Sequence, residues 1–226
     1  MSRLHQPRHQ PRRLPLAAGG LVCLAVLALA GCGSSDLIEP GRWEGTVFIH
    51  EGLGLRVTVP GYWIIAPEES SGQLSSAGRD LLSKSDPTGS AYGAEGQPTS
   101  RQLFAVYRFP LGTIQGINPS LVAALENVAA RPQIQTAADY LQMLQTFLSR
   151  GGTPMNFEPI VSSSELAGQE FAVLAVTLQP TPELVIGQVY HARRVGDSIF
   201  TVVATFSTPE QWAELELVLG AMVMER

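Results

Sequence analysis

The chain has 226 residues, 45% of them hydrophobic, with 15 Lys+Arg against 20 Asp+Glu and a formal net charge of −5. That apolar content supports a packed core and excludes a disordered or collagen-like chain. The acidic balance argues against recognition of nucleic acid or an anionic lipid surface through bulk charge.

Residues 1–13 carry Arg3, Arg8, Arg12 and Arg13 and no acid, and Leu14 to Ala30 is an uninterrupted apolar run before Gly31 and Cys32. This is the three-part layout of an export signal. The run holds Pro15, Gly19 and Gly20 and is 17 residues long, short of the roughly 20 that span a bilayer core, so removal is expected rather than retention. Leu29-Ala30-Gly31-Cys32 resembles the lipobox of bacterial lipoproteins. The resemblance implies cleavage between Gly31 and Cys32, diacylglycerol on the Cys32 thiol, and often a further fatty chain such as palmitate on its freed amine. Each buried methylene contributes about 0.8 kcal/mol, so two or three chains hold firmly where one is marginal. Gln10-Pro11 and Leu14-Pro15 around Arg12-Arg13 depart from a twin-arginine motif, which favours the general secretory route. In enterobacteria an aspartate directly after the lipid-bearing cysteine resembles an inner-membrane retention signal. Gly33 stands there instead, so the expected address in a Gram-negative cell envelope is the outer membrane, facing the periplasm.

The expected organisation is a signal peptide over 1–31, a flexible tether over 32–42 that includes Gly33-Ser34-Ser35-Asp36, and one domain over 43–226. Removal of the signal leaves 195 residues with 11 basic against 20 acidic side chains, a net charge of −9, and Cys32 as the one remaining cysteine. No internal disulfide is then possible. None is needed, because a domain of this size buries roughly 70% of its unfolded surface. Lys84 is the single lysine, which reads as compositional bias and carries no function.

In chain order, Thr46 to His50 and Leu55 to Val59 are β-rich runs around Glu51-Gly52-Leu53-Gly54, a hairpin pattern. Pro60 ends the second run and Tyr62-Trp63-Ile64-Ile65 begins another. Residues 68–100 are rich in Ser, Gly and acid, with Leu74 to Leu82 the candidate helix of a long surface excursion. Gln102 to Phe109 reads as a strand, and Asn118-Pro119 as an N-cap and first-turn proline for a helix to about Ala130. Thr136 with Asp139 has capping spacing for a second helix, whose Tyr140, Leu141, Leu144, Phe147 and Leu148 share a face and which Gly151-Gly152 stops.

Four strands then follow: Glu158 to Glu165, Glu170 to Leu178, Val185 to Arg194 and Ser198 to Phe206, with joins short enough for antiparallel neighbours. The second and fourth are apolar on both faces, so helices are expected over both faces of the sheet. Thr208-Pro209-Glu210-Gln211 supplies a capping box for a final helix with a stripe of Trp212, Leu215, Leu219 and Met222. There is no repeat of fixed period and no heptad pattern.

The order of these parts resembles the PsbP-like (DcrB-like) fold superfamily. The matching segments are the opening hairpin leading to Val59-Pro60-Gly61-Tyr62-Trp63, the amphipathic helix Ala138 to Leu148, the turn Leu166-Ala167-Gly168-Gln169-Glu170-Phe171, and the capped last helix, over about residues 43–224. The resemblance implies an α+β fold, an α/β/α sandwich around a mainly antiparallel sheet, and a non-catalytic accessory role. It transfers no set of functional residues onto this chain, and the 68–100 segment departs from the shorter connection the family shows.

Chemistry is sparse. His50 and His191 are the histidines that survive processing, and neither has Cys, His or Asp at metal-ligand spacing. Alternation sets His191 beside Arg193 on one strand face. No Gly-x-Ser-x-Gly elbow occurs, and Ser162-Ser163-Ser164 reads as strand or edge. Glu68-Glu69 are adjacent loop carboxylates that point apart, unlike a glycosidase pair, and Gly52-Leu53-Gly54 lacks the remaining glycine and helix of a phosphate loop. No cofactor, metal or catalytic set is expected. Trp63 is the candidate aromatic platform, competing with a core role, and Arg193 and Arg194 are candidates for gripping an acidic partner through fork-shaped hydrogen bonds.

The expected function is a lipid-anchored accessory or scaffold protein that holds an envelope protein partner through a sheet edge or the 68–118 region. A carrier of a small apolar ligand is the alternative, and an envelope hydrolase a distant third.

Overall fold

The computed structural model describes residues 40–67, 100–113, 116–150 and 154–225. The chain divides into the units Met1–Gly31 and Cys32–Arg226, and every described residue belongs to the second. In chain order its strands are β1 (Arg42–Glu44), β2 (Val47–His50), β3 (Leu55–Thr58), β4 (Ile64–Ile65), β5 (Ser100–Tyr107), β6 (Ser120–Asn127), β7 (Met155–Phe157), β8 (Val161–Leu166), β9 (Gln169–Thr181), β10 (Leu184–Val195), β11 (Ser198–Phe206) and β12 (Met222–Met224). The helices are α1 (Ala137–Leu148) and α2 (Pro209–Gly220). The class is α+β, with every described strand pair antiparallel.

Two sheets form. The smaller has the order β1-β2-β3-β12, and the larger the order β4-β5-β6-β11-β10-β9-β7 with β8 also paired to β9. The expected first hairpin is present: His50 Nδ1 accepts the Leu53 N–H at 3.2 Å, and Gly54, in the left-handed region at φ 58°, returns the chain into β3. β1 and β12 go beyond the sequence reading, both being three-residue strands, too short to show a period-two pattern.

Alternation along the central strands feeds two cores. Phe200, Val202 and Ala204 of β11 join Phe171, Leu121, Ala123 and Phe104 in a cluster with the small sheet and with Leu215, Val218 and Leu219 of α2. Ile199 of β11 instead joins Ala172, Leu174, Val176 and Ala192 in a second cluster under Tyr140 and Leu141 of α1. One face of the large sheet thus meets α1, and the other meets α2 together with a second sheet. That second sheet is absent from the sequence reading.

The expected helix from Asn118-Pro119 to Ala130 is corrected: Ser120–Asn127 is β6, inside the large sheet between β5 and β11. Ser-Leu-Val-Ala-Ala-Leu-Glu-Asn contains good helix formers, but pairing on both edges outweighs a propensity worth a few tenths of a kcal/mol per residue. Asn118 does not cap a helix. Its Oδ1 accepts the Phe109 N–H at 3.0 Å and its Nδ2 donates to Phe109 O at 2.7 Å, closing the turn between β5 and β6.

The strand expected over Glu158 to Glu165 begins three residues later, as β8, after a break at Glu158–Ile160 around Pro159, whose missing N–H interrupts the ladder; the short β7, before the break, goes beyond the sequence reading. At α1 the reciprocal capping box is complete: Thr136 Oγ1 accepts the Asp139 N–H at 3.1 Å, and Asp139 Oδ2 accepts the Thr136 N–H at 2.8 Å. At α2 only half of the expected box forms: Thr208 Oγ1 accepts the Gln211 N–H, while Gln211 Oε1 accepts from Ser207 instead of Thr208. Met222 leaves the helical stripe for β12. The expected Leu74 to Leu82 helix and the Gly151-Gly152 stop lie outside the described residues.

Candidate functional site

Gly31 and Cys32, like Glu68-Glu69, lie outside the described residues. The remaining candidates separate in space. Trp63 is only 5% exposed and belongs to the core cluster that includes Val59 and Phe104, so its ring presents no surface. Its indole Nε1 is buried without a hydrogen-bond acceptor among the described residues.

Arg193 and Arg194 are neighbours on β10 and therefore leave opposite faces of the sheet. Arg194 turns inward: its Nη1 donates to Ile134 O, its Nε donates to Gly196 O at 2.9 Å, and its Nη2 lies 3.9 Å from Asp197 Oδ1. It ties the segment before α1 to the β10–β11 turn, which leaves few donors for a partner. Arg193 stands on the other face and lines two clefts.

The larger cleft, of about 740 Å³, is bordered by Ser162, Ser164, Glu165, Glu170, Arg193 and Arg194. Strand pairing explains it. The β9–β10 register ends at Ala172–Ala192, although β9 continues back to Gln169 on β8 and β10 continues to Val195 on β11. The two strands fork, and the cleft is the opening of the fork. Ala167, at φ 56°, and Gly168, at φ 72°, make the β8–β9 turn beside it. A second cleft of about 450 Å³ shares Gln169 and Arg193 and reaches Gly54 and Glu225.

These groups do not assemble into a catalytic set. Ser163 Oγ donates to Glu170 Oε1 at 3.1 Å, on the exposed surface. His191 faces away from α1, between Val173 of β9 and Val202 of β11. Burial pushes its pKa down to about 4, so the ring is neutral at neutral pH. Both ring nitrogens lack a hydrogen-bond partner among the described residues, and no carboxylate orients the ring as a base. His50 is 3% exposed and serves the turn after β2. Burial also pushes the Tyr190 phenol up to about 12, its hydroxyl donating to Gln188 Oε1 at 2.7 Å. Among the described residues no group of three or more His, Cys, Asp or Glu could hold a metal ion, and no helix is long and apolar enough to cross a membrane.

A different feature escaped the sequence reading. The Arg108 guanidinium lies 4.6 Å from the Tyr62 ring centroid and 4.7 Å from that of Phe109, and its Nε donates to Glu214 Oε2 of α2 at 2.6 Å. Tyr62 and Arg108 are 46 residues apart, and only the sheet brings them together. No local pattern signals the cluster.

No protein-family model matches the chain, and no curated protein matches it. Solved structures do resemble it. One is a Bacteroides thetaiotaomicron protein, at TM-score 0.40 and 11% identity over 81% of this chain, which spans about half (50%) of that protein's length. Another is the cyanobacterial PsbP (CyanoP) from Synechocystis, at TM-score 0.44 and 10% identity over 87% of this chain and 99% of that one.

Proposed function

We propose that the chain is a lipid-anchored cell-envelope protein, a non-catalytic accessory or scaffold whose α/β/α sandwich is of the PsbP-like kind and holds an envelope protein partner. The observation that carries this reading is Leu29-Ala30-Gly31-Cys32 at the end of a basic, then apolar, leader. In this reading residues 1–31 are removed, 32–42 tether the body, and 43–226 form the working domain on the periplasmic side of the outer membrane. Among the described residues β8 pairs with β9 alone and is exposed along most of its length, so it offers a sheet edge to a partner strand. The scattered polar groups support an accessory role over a hydrolytic one. The serine, glutamate and arginine lining of the 740 Å³ cleft speaks against carriage of an apolar ligand there.

Mass spectrometry of the protein from membranes tests the anchor: an amino-terminal peptide beginning at acylated Cys32 is expected. Recovery of the chain with its first 31 residues intact, or with an unmodified Cys32 thiol, overturns it. Crosslinking in cells followed by purification tests the role. A reproducible envelope protein supports scaffolding, and a stoichiometric apolar small molecule in its place overturns it in favour of carriage.

A further inference from the structure

The Arg108 cluster sits in an apolar patch that nothing above assigns. Tyr62 and Leu111 are each 52% exposed and Leu217 is 66% exposed, among the large hydrophobic side chains that face solvent. Phe109 joins Tyr62 through the shared Arg108 guanidinium. Leu111 is two residues beyond Phe109, and Leu217 stands one helical turn from Glu214 on α2. The charges inside the patch cancel, since Arg108 and Glu214 pair at 2.6 Å. An aromatic and aliphatic surface with a paired charge at its centre, bordered by the exposed Glu210 and Glu216 of α2, therefore sits on a body that carries −9 after processing.

The chain's entry point lies nearby. Trp43 of β1 has its ring centroid 6.1 Å from that of Phe104 on β5. Arg108 is four residues further along the same run, roughly 13 Å at strand rise. The start of the domain is thus roughly 20 Å from the patch. The ten Cα–Cα steps from Cys32 to Arg42 reach up to roughly 33 Å, enough for one membrane to hold the lipid chains and touch the patch together.

We infer that Tyr62, Phe109, Leu111 and Leu217 form a second membrane contact, seating the domain against the zwitterionic lipid surface into which the acyl chains of Cys32 insert. This inference rests on the lipid anchor proposed above. A tether this short keeps the patch at a high effective concentration near the surface, so a contact too weak to act alone suffices once the anchor is in place. The Arg108–Glu214 pair leaves the centre of the patch without net charge, and a zwitterionic surface does not repel the acidic residues around it as an anionic one would.

The test uses the full chain, exported and processed in a bacterial host and reconstituted into phosphatidylcholine vesicles. A polarity-sensitive fluorophore is placed through Leu217→Cys, and in a control protein through Glu165→Cys, an exposed position on β8 far across the sheet. Flotation with the vesicles reads the anchor, and access of a water-soluble quencher reads the patch. The expected result is flotation of both proteins, with the Leu217→Cys probe quenched about tenfold less steeply than the control. Adding Tyr62→Ser with Leu111→Ser, both at exposed positions, is expected to bring the two probes together with the circular dichroism unchanged. Equal quenching of the two probes in floating protein overturns the patch contact and leaves the anchor standing. Failure to float overturns the anchor and this inference with it. A Leu217→Cys probe shielded in native envelopes but open in protein-free vesicles overturns the lipid contact in favour of a protein on the same surface.

Discussion

Glu126 is 8% exposed and has two partners: Arg131 Nη1 at 2.6 Å from Oε1, and the Tyr140 hydroxyl donating to Oε2 at 2.8 Å. The pair joins β6, the turn after it and α1. Arg131→Ala leaves the carboxylate buried with a single neutral donor, and is expected to cost about 3–5 kcal/mol in urea unfolding. Tyr140→Phe removes one neutral donor and is expected to cost about 1–2 kcal/mol. Similar losses for the two variants would mean that the ion pair contributes little. His191 gives a pH signature. Its folded pKa lies near 4 because burial disfavours the imidazolium, against about 6.5 in an exposed chain. As pH falls, the unfolded state binds the proton first, so the neutral ring's contribution is complete above about 6.5, shrinks below it, and is gone near 4. Relative to His191→Leu, wild type is expected to lose about 3 kcal/mol of stability as pH falls across that window. A pH-independent difference would place the ring in contact with water.

The carboxy-terminal strand is held by contacts that leave no room for a side chain at Gly54. Glu225 N donates to Gly54 O at 2.8 Å, and a Cβ at Gly54 would run into the Glu225 carbonyl. Gly54 also has φ 58°, a conformation that costs other residues roughly 1 kcal/mol or more. Gly54→Ala is expected to detach β12 and make residues 222–226 accessible to carboxypeptidase while the large sheet persists. Unchanged protection would show that the pairing of β12 with β3, together with the Gln169 Nε2 donation to Met224 O, suffices. What was legible in the sequence follows the same division between local and distant causes. Thr136 with Asp139 announced α1 because its caps bond within one turn, and β9, β10 and β11 were readable from strand composition and short turns. β6 departs from that reading because its helix-forming residues become a strand only through neighbours 19 residues before and 75 after, Phe104 with Ala123 and Phe200 with Leu125. The candidate site fared similarly. The Arg193-Arg194 doublet was visible as a motif, but its division between faces and the inward turn of Arg194 depend on the fork of β9 from β10. The Tyr62–Arg108–Glu214 cluster joins three segments that no spacing rule connects.

At the scale of the whole molecule the two cores share their walls. Ile199 and Phe200 are consecutive on β11, both 0% exposed, yet Ile199 packs under α1 and Phe200 against the small sheet and α2. Neighbouring side chains on β9 divide in the same way, with Phe171 on one side and Ala172 on the other. Losing either core therefore removes half of the support from the same strands, and the two layers have no independent scaffold on which to persist alone. The expectation is a single cooperative transition. The three tryptophans offer a one-sided reporter, because Trp63 lies in the first cluster and Trp43 and Trp212 pack against it. Far-UV ellipticity follows α1 as well. In guanidinium unfolding the fluorescence and ellipticity curves are expected to superimpose, and Ile199→Ala and Phe200→Ala should each shift both curves together by about 2–5 kcal/mol. Separate midpoints, with the Ile199→Ala change felt by ellipticity and not by fluorescence, would show that the α1 side melts as its own unit and that β11 does not couple the two faces.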